Sequence, residues 1–166
     1  KYDYYLPPFY FYEEESAAPP AGKTGEKKEK PPLVVSRVLG RGIHHITLRE
    51  FDPDCEEALL EALEKAASGK AVVLDFRGNP GGRVSTAKKL LDWTMSDGVA
   101  YTIRQRQGDR YDVTVRSYQN GYLVVETYRE KADGKKKESR FERTECVPVL
   151  PPVMPMVVLI DEDSAS

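Results

Sequence analysis

The chain has 166 residues and a mass of 18.7 kDa, room for one domain with its own core or for a domain plus a tail. Its 25 Lys and Arg against 27 Asp and Glu leave a net charge of −2, without the basic excess of a general nucleic-acid binder. No run approaches the ~18 consecutive apolar residues of a membrane span, no leader pattern opens the chain, and two cysteines, Cys55 and Cys146, exclude a disulfide-dense scaffold.

Residues 1–32 differ from the rest. Tyr2, Tyr4, Tyr5, Phe9, Tyr10, Phe11 and Tyr12 crowd around Pro7 and Pro8, an aromatic arm suited to packing on a domain. The stretch from Glu13 onward, with Pro19, Pro20 and the run GKTGEKKEK, is charged and poor in aliphatics, which reads as a linker. Order is expected from Leu33. Leu33–Leu39 and Ile43–Leu48 are β-branched runs joined by Gly40-Arg41-Gly42, the pattern of a hairpin.

Asp52-Pro53-Asp54 has the residues of a helix start, and Ala58, Leu59, Ala62, Leu63 and Ala66 form an apolar stripe that Gly69 ends. The run AVVLDF, Ala71–Phe76, is continuous and apolar, as in a buried parallel strand, so strand, helix and strand predict a βαβ crossover. A tight loop, Arg77-Gly78-Asn79-Pro80-Gly81-Gly82, leads into a helix over Val84–Met95, with Ala87, Leu90, Leu91 and Thr94 on one side.

Four strand-like runs follow: Val99–Arg106, Tyr111–Tyr118, Tyr122–Tyr128 and Ser139–Cys146. Gly108-Asp109, Asn120-Gly121 and Asp133-Gly134 join them, which predicts an antiparallel meander inserted over about 99–147. Lys135-Lys136-Lys137 is expected at a solvated hairpin tip. After Pro148, Pro151, Pro152 and Pro155, the run MVVLI at Met156–Ile160 returns to the core and leads to Asp161-Glu162-Asp163-Ser164-Ala165-Ser166.

Two segments can carry chemistry. The loop from Asp75 to Gly82 lies between the carboxyl end of a buried strand and the amino end of a helix, where exposed backbone N–H groups stabilise an oxyanion or a phosphate. It lacks the Gly-Lys-Ser/Thr ending of a phosphate loop. Ser164-Ala165-Ser166 follows a core strand, and a serine there is a nucleophile if a base is near. His44 and His45 are neighbours on a strand and point to opposite faces, so they cannot share one metal, and a structural role is expected for them. Ser166, one histidine and Asp75 supply the residue types of a triad, but no spacing favours it.

Taken together, GI–HHITL–REF, the amphipathic helix, VVLDFRGNPGG, a second helix and VVLIDEDSAS resemble the protease core of peptidase family S41, the carboxyl-terminal processing or tail-specific proteases. The resemblance covers about Ile43–Met95 and Met156–Ser166. It implies a crotonase-like α/β core over 33–166, with βαβ units and the meander as an insertion. It also implies a serine endopeptidase that cuts unstructured or carboxyl-terminal polypeptide, with no cofactor or metal. Its habitat would be the periplasm, the cell envelope or a lumen.

Position by position, the resemblance makes Ser166 the nucleophile and Gly82, with Gly81 beside it, the oxyanion hole. The base would be a lysine farther along than Ser166, so these 166 residues alone are expected to be inactive. A Ser-Lys dyad needs that lysine brought toward neutrality, which Asp161, Glu162 and Asp163 oppose. Lys88 and Lys89 are expected to be face charges rather than substitutes. Two other readings share the scaffold: a peptide-binding module without turnover, and a crotonase-like enzyme that uses Gly81 and Gly82 on a thioester enolate.

Overall fold

In the computed structural model, residues 31–131 and 134–164 are described. The aromatic arm and most of the linker, residues 1–30, lie outside them, as does Ser166.

Strands β1 (Val34–Leu39) and β2 (Ile43–Leu48) form the expected antiparallel hairpin. Arg41 and Gly42 turn it, with φ of 63° and 76°. From β2 the chain enters a helical turn at Pro53–Cys55, where the Asp54 N–H donates to the Asp52 carboxylate at 2.9 Å. Helix α1 (Glu56–Ala67) follows, and then β3 (Ala71–Asp75), parallel to β2. Helix α2 (Val84–Thr94) leads away to the meander, and β8 (Met156–Leu159) returns to pair parallel with β3. The sheet order is β1-β2-β3-β8, a mixed sheet whose two parallel pairs are joined through α1 and through α2 with the meander.

The register puts Ile46 beside Leu74 and His44 beside Val72, so Ile46, Leu48, Val72 and Leu74 share one face. They are buried with Leu59, Ala62, Leu63 and Ala66 of α1, Leu90 of α2 and Leu150. Each fully buried leucine here contributes about 2–3 kcal/mol of transfer free energy. The stripe of α1 differs at its start from the expected one. Ala58 is exposed, and the buried Cys55 takes its place one turn before Leu59. The helical turn before α1 rotates the register, which the apolar spacing by itself did not show.

The meander forms a second sheet from β4 (Gly98–Gln107), β5 (Arg110–Gln119), β6 (Tyr122–Lys131) and β7 (Lys136–Glu145). Asn120 and Gly121 both take positive φ, 51° and 78°, as a two-residue hairpin matched to strand twist requires. Strand β7 begins at Lys136, earlier than expected. At the exposed β6–β7 tip, as expected, Lys136 pairs opposite Glu130; it also donates to Glu126 at 3.3 Å and lies 4.0 Å from the centre of the Tyr128 ring. Arg104 over Tyr111 and Arg143 over Tyr122 repeat this cation-to-ring pairing on the same face.

One residue of α2 anchors the meander. Asp92 Oδ1 accepts from the Arg116 guanidinium and from the Tyr118 hydroxyl, each at 2.6 Å. The Trp93 carbonyl takes the N–H groups of Val149 and Leu150. Tyr118 is 1% exposed, and this burial, with the hydrogen bond to Asp92, pushes its phenol up to about 12. The folded chain therefore holds the Tyr118 proton more tightly than the unfolded chain. Its contribution is complete below about pH 10 and is lost as pH rises through about 12. In alkaline unfolding followed by circular dichroism, Tyr118→Phe is expected to flatten the fall in stability across that window; an unchanged slope would contradict the anchoring role.

Candidate active site

Parallel pairing of β2, β3 and β8 brings the carboxyl ends of all three strands to one edge, the place where open α/β sheets carry their ligands. Two segments leave that edge side by side: the loop 76–83 after β3 and the turn 160–164 after β8.

Asp75, the last residue of β3, is 4% exposed and lies on the face opposite the apolar core. Its carboxylate accepts from His45 Nε2 at 3.0 Å and from Arg77 Nε and a terminal guanidinium nitrogen at 2.9 and 2.7 Å. The Arg77 N–H adds a contact at 3.2 Å. Arg77 thus folds back over the strand end as a two-pronged clamp, and its hydrogen bonds hold the Asp75 carboxyl well below the usual carboxylate range. His45 was expected to be structural, and its buried bond to Asp75 is such a role. The sequence did not show the partner, because His45 and Asp75 meet only through the register that sets His45 beside Val73.

The loop then closes on a buried amide. Asn79, 1% exposed, donates from Nδ2 to the Leu48 carbonyl at 3.0 Å, and its Oδ1 accepts the Gly81 N–H at 2.8 Å. One side chain thereby fastens the glycine turn to the end of β2. Gly81 and Gly82 take φ of 104° and 135°, backbone that favours glycine. Phe51 pairs alongside: its N–H donates to the Gly81 carbonyl at 2.8 Å and its carbonyl accepts the Arg83 N–H at 2.7 Å. Because these bonds go to the residues flanking Gly82, the polar groups of Gly82 itself face the other way. Gly82 is exposed, and its N–H has no hydrogen-bond partner among the described residues. A Cβ on Gly82 would lie 2.6 Å from the Phe51 carbonyl oxygen.

Of the two glycines expected to donate, Gly81 is therefore committed to Asn79, and Gly82 carries the available N–H. It stands at the start of α2, whose first turn has no side-chain cap.

The second segment is tied to the first. The Gly78 N–H donates to Asp161 Oδ1 at 2.9 Å, and Ser164 Oγ lies 2.8 Å from the Phe76 carbonyl and 2.9 Å from Asp161 Oδ1. The Gly78 bond holds the Asp161 carboxyl below its ordinary range. Ser164 also accepts the Asp161 N–H at 3.0 Å, so its hydroxyl is fully engaged. Lys89 pairs with Glu56, which also receives the Thr86 hydroxyl, and Lys88 lies over the Tyr101 ring. Lys89 is thus an exposed face charge, as expected, and also ties α2 to α1.

Two outcomes follow from the Asp75 clamp and the Gly82 contact. Asp75→Ala strands His45 and Arg77, and its expected cost is about 2–3 kcal/mol, for lost hydrogen bonds to charged groups. Since the folded carboxyl is depressed, that stability is present above pH ~4 and fades as pH falls below it. In thermal melts across pH 3–7, the gap between wild type and Asp75→Ala is expected to hold steady above pH ~4 and to begin to narrow below it. Gly82→Ala is expected to lower the melting temperature as well, through the Phe51 clash and the strained φ; an unchanged melt would show that the turn relaxes.

Comparison with known proteins bears on this edge of the sheet. No curated protein matches the chain. Among solved structures, a photosystem II D1 C-terminal processing protease is similar at 16% identity and a TM-score of 0.46, over 75% of this chain and 25% of that one. A Parabacteroides merdae protein described as a peptidase is similar at 13% identity and a TM-score of 0.45, over 84% of this chain and 38% of that one. The chain thus spans well under half the length of these structures. The sequence profile of peptidase family S41 matches residues 42–166, from the turn before β2 through the loop after β3 to Ser166. This chain belongs to peptidase family S41.

Proposed function

We propose that the chain is the nucleophile-bearing part of a serine endopeptidase of the tail-specific class, which cuts unstructured or carboxyl-terminal polypeptide. Ser166 is the nucleophile, and the Gly82 N–H is one donor of the oxyanion hole, with Gly81 beside it as the backbone that fixes its direction. The observation that carries this reading is the exposed, unpartnered Gly82 N–H, among the described residues, on a loop hydrogen-bonded to the turn that leads to Ser166.

In this reading the Ser166 hydroxyl attacks the scissile carbonyl, and its proton passes to a base. Family membership points to a lysine beyond Ser166 for that base. Lys88 and Lys89 do not supply it, since each is engaged on α2 by Tyr101 and Glu56. As the carbonyl becomes tetrahedral, its oxygen gains charge, and a preoriented N–H such as that of Gly82 stabilises it by about 3–4 kcal/mol. Collapse expels the amine, which takes the proton from the base, and water then releases the acyl group from Ser166. Asp161 is compatible with this chemistry because its charge is directed into the Gly78 N–H and the Ser164 hydroxyl.

The wider assignment follows the same resemblance. Residues 33–166 are read as the protease core, of the crotonase-like kind, with the meander as an insertion and residues 1–32 as an arm and linker. The crossover from β2 through α1 to β3, with a functional loop at the strand ends, supports that core. No helix among the described residues is long and apolar enough to cross a membrane. From the family resemblance alone, we read the site of action as the periplasm, the cell envelope or a lumen.

Ser166→Ala in the full-length protein is expected to abolish cleavage of a disordered substrate while leaving its binding intact. Cleavage at the wild-type rate would refute the assignment of the nucleophile. Binding without turnover by the wild type would instead support a peptide-capturing module.

A further inference from the structure

We propose that Asp161 and Ser164 are positioning residues: their side chains clasp the turn 161–164, which precedes Ser166 in the sequence, to the loop that carries the Gly82 N–H. This rests on the reading that Ser166 attacks and Gly82 stabilises.

The two halves of the site leave different strands. Their backbones are joined at the root by the bond from the Phe76 N–H to the Leu159 carbonyl, 2.9 Å. Beyond that point, side chains make the link. Asp161 Oδ1 takes the Gly78 N–H from the oxyanion loop and faces the Ser164 hydroxyl from its own turn. The Ser164 hydroxyl in turn reaches across to the Phe76 carbonyl. Gly78 suits this contact because its φ of 69° is left-handed and a Cβ there would meet nothing.

In the sequence, Ser166 is two residues past Ser164. Gly82 is four residues past Gly78, and the Asn79 amide fixes the interval between them. Release of the clasp therefore lets the turn drift against the loop, while the parallel sheet and the apolar core beneath it stay as they are. Ser164 is committed to the clasp: its one proton is directed to the Phe76 carbonyl or Asp161, and its oxygen accepts the Asp161 N–H.

The test uses the full-length protein and reads three quantities: the rate at which a fluorophosphonate probe labels the active serine, kcat and KM on a disordered peptide, and the melting temperature. Asp161→Ala is expected to lower both the labelling rate and kcat by on the order of 10²-fold, with KM and the melt nearly unchanged. Asp161→Asn keeps an Oδ1 acceptor for Gly78 and is expected to restore most of the rate. Ser164→Ala removes a single hydroxyl and is expected to lower kcat by a smaller factor. Wild-type labelling and turnover in Asp161→Ala would overturn the clasp, and so would a loss in Asp161→Asn as deep as in Asp161→Ala. If Asp161→Ala fails to fold, Ser164→Ala decides: an unchanged kcat overturns the proposal. Ser166→Ala run in parallel separates the two levels, because labelling that survives in it sinks the nucleophile assignment itself.

Discussion

The buried carboxamide of Asn79 is the point on which this edge of the molecule depends. It bonds in two directions at once, to the Leu48 carbonyl at the end of β2 and to the Gly81 N–H in the turn. A carboxamide at 1% exposure costs several kcal/mol if it is left without partners, so the loop has one low-energy way to lie. With that way fixed, Gly81 is consumed, Phe51 pairs alongside, and Gly82 alone turns its N–H outward. The left-handed glycines are tolerated because these bonds over-determine the backbone around them.

Charge is distributed around this loop with little of it left loose. Asp75 is buried but held by a guanidinium and an imidazole, and Asp161 is exposed but held by a backbone N–H and a hydroxyl. Each carboxylate is thereby committed to holding the loop. With Asp75 and Asp161 so held, the Gly82 N–H is a backbone donor directed outward from the glycine turn, which in the proposed reading suits charge that develops during acyl transfer. A side-chain cation in the same place would bind anions in the ground state as well and would gain less for the chemical step.

The meander answers a different requirement. Its strands are mostly exposed, so it gains little from a core, and cross-strand pairs of cation with ring and of acid with base take over. Its attachment to the α/β unit runs through Asp92 and the Trp93 carbonyl near the end of α2. Helix α2 thus follows directly on the glycine turn, carries the meander anchor in its last turn, and is tied to α1 by Glu56 through Thr86 and Lys89. The anchor and the glycine loop are joined by a helix of 11 residues, a stiff connection.

Much of the architecture was legible in the amino-acid sequence, because it rests on local rules. Hydrophobic period separates α1 from β3, Asn120-Gly121 demands a hairpin turn, and the run DFRGNPGG with VVLIDEDSAS carries family membership. Other features depend on pairings between residues far apart in the chain. His45 meets Asp75 across 30 positions, Asn79 meets Leu48 across 31, and Ser164 meets Phe76 across 88. No local pattern encodes such contacts, since a strand's neighbour and register are set by how the whole sheet buries its apolar face. The sequence by itself marked the glycine loop and the serine on which the proposed function rests. Only the tertiary structure decided that Gly82 rather than Gly81 presents its N–H, because that choice is made by where Asn79 finds its partners.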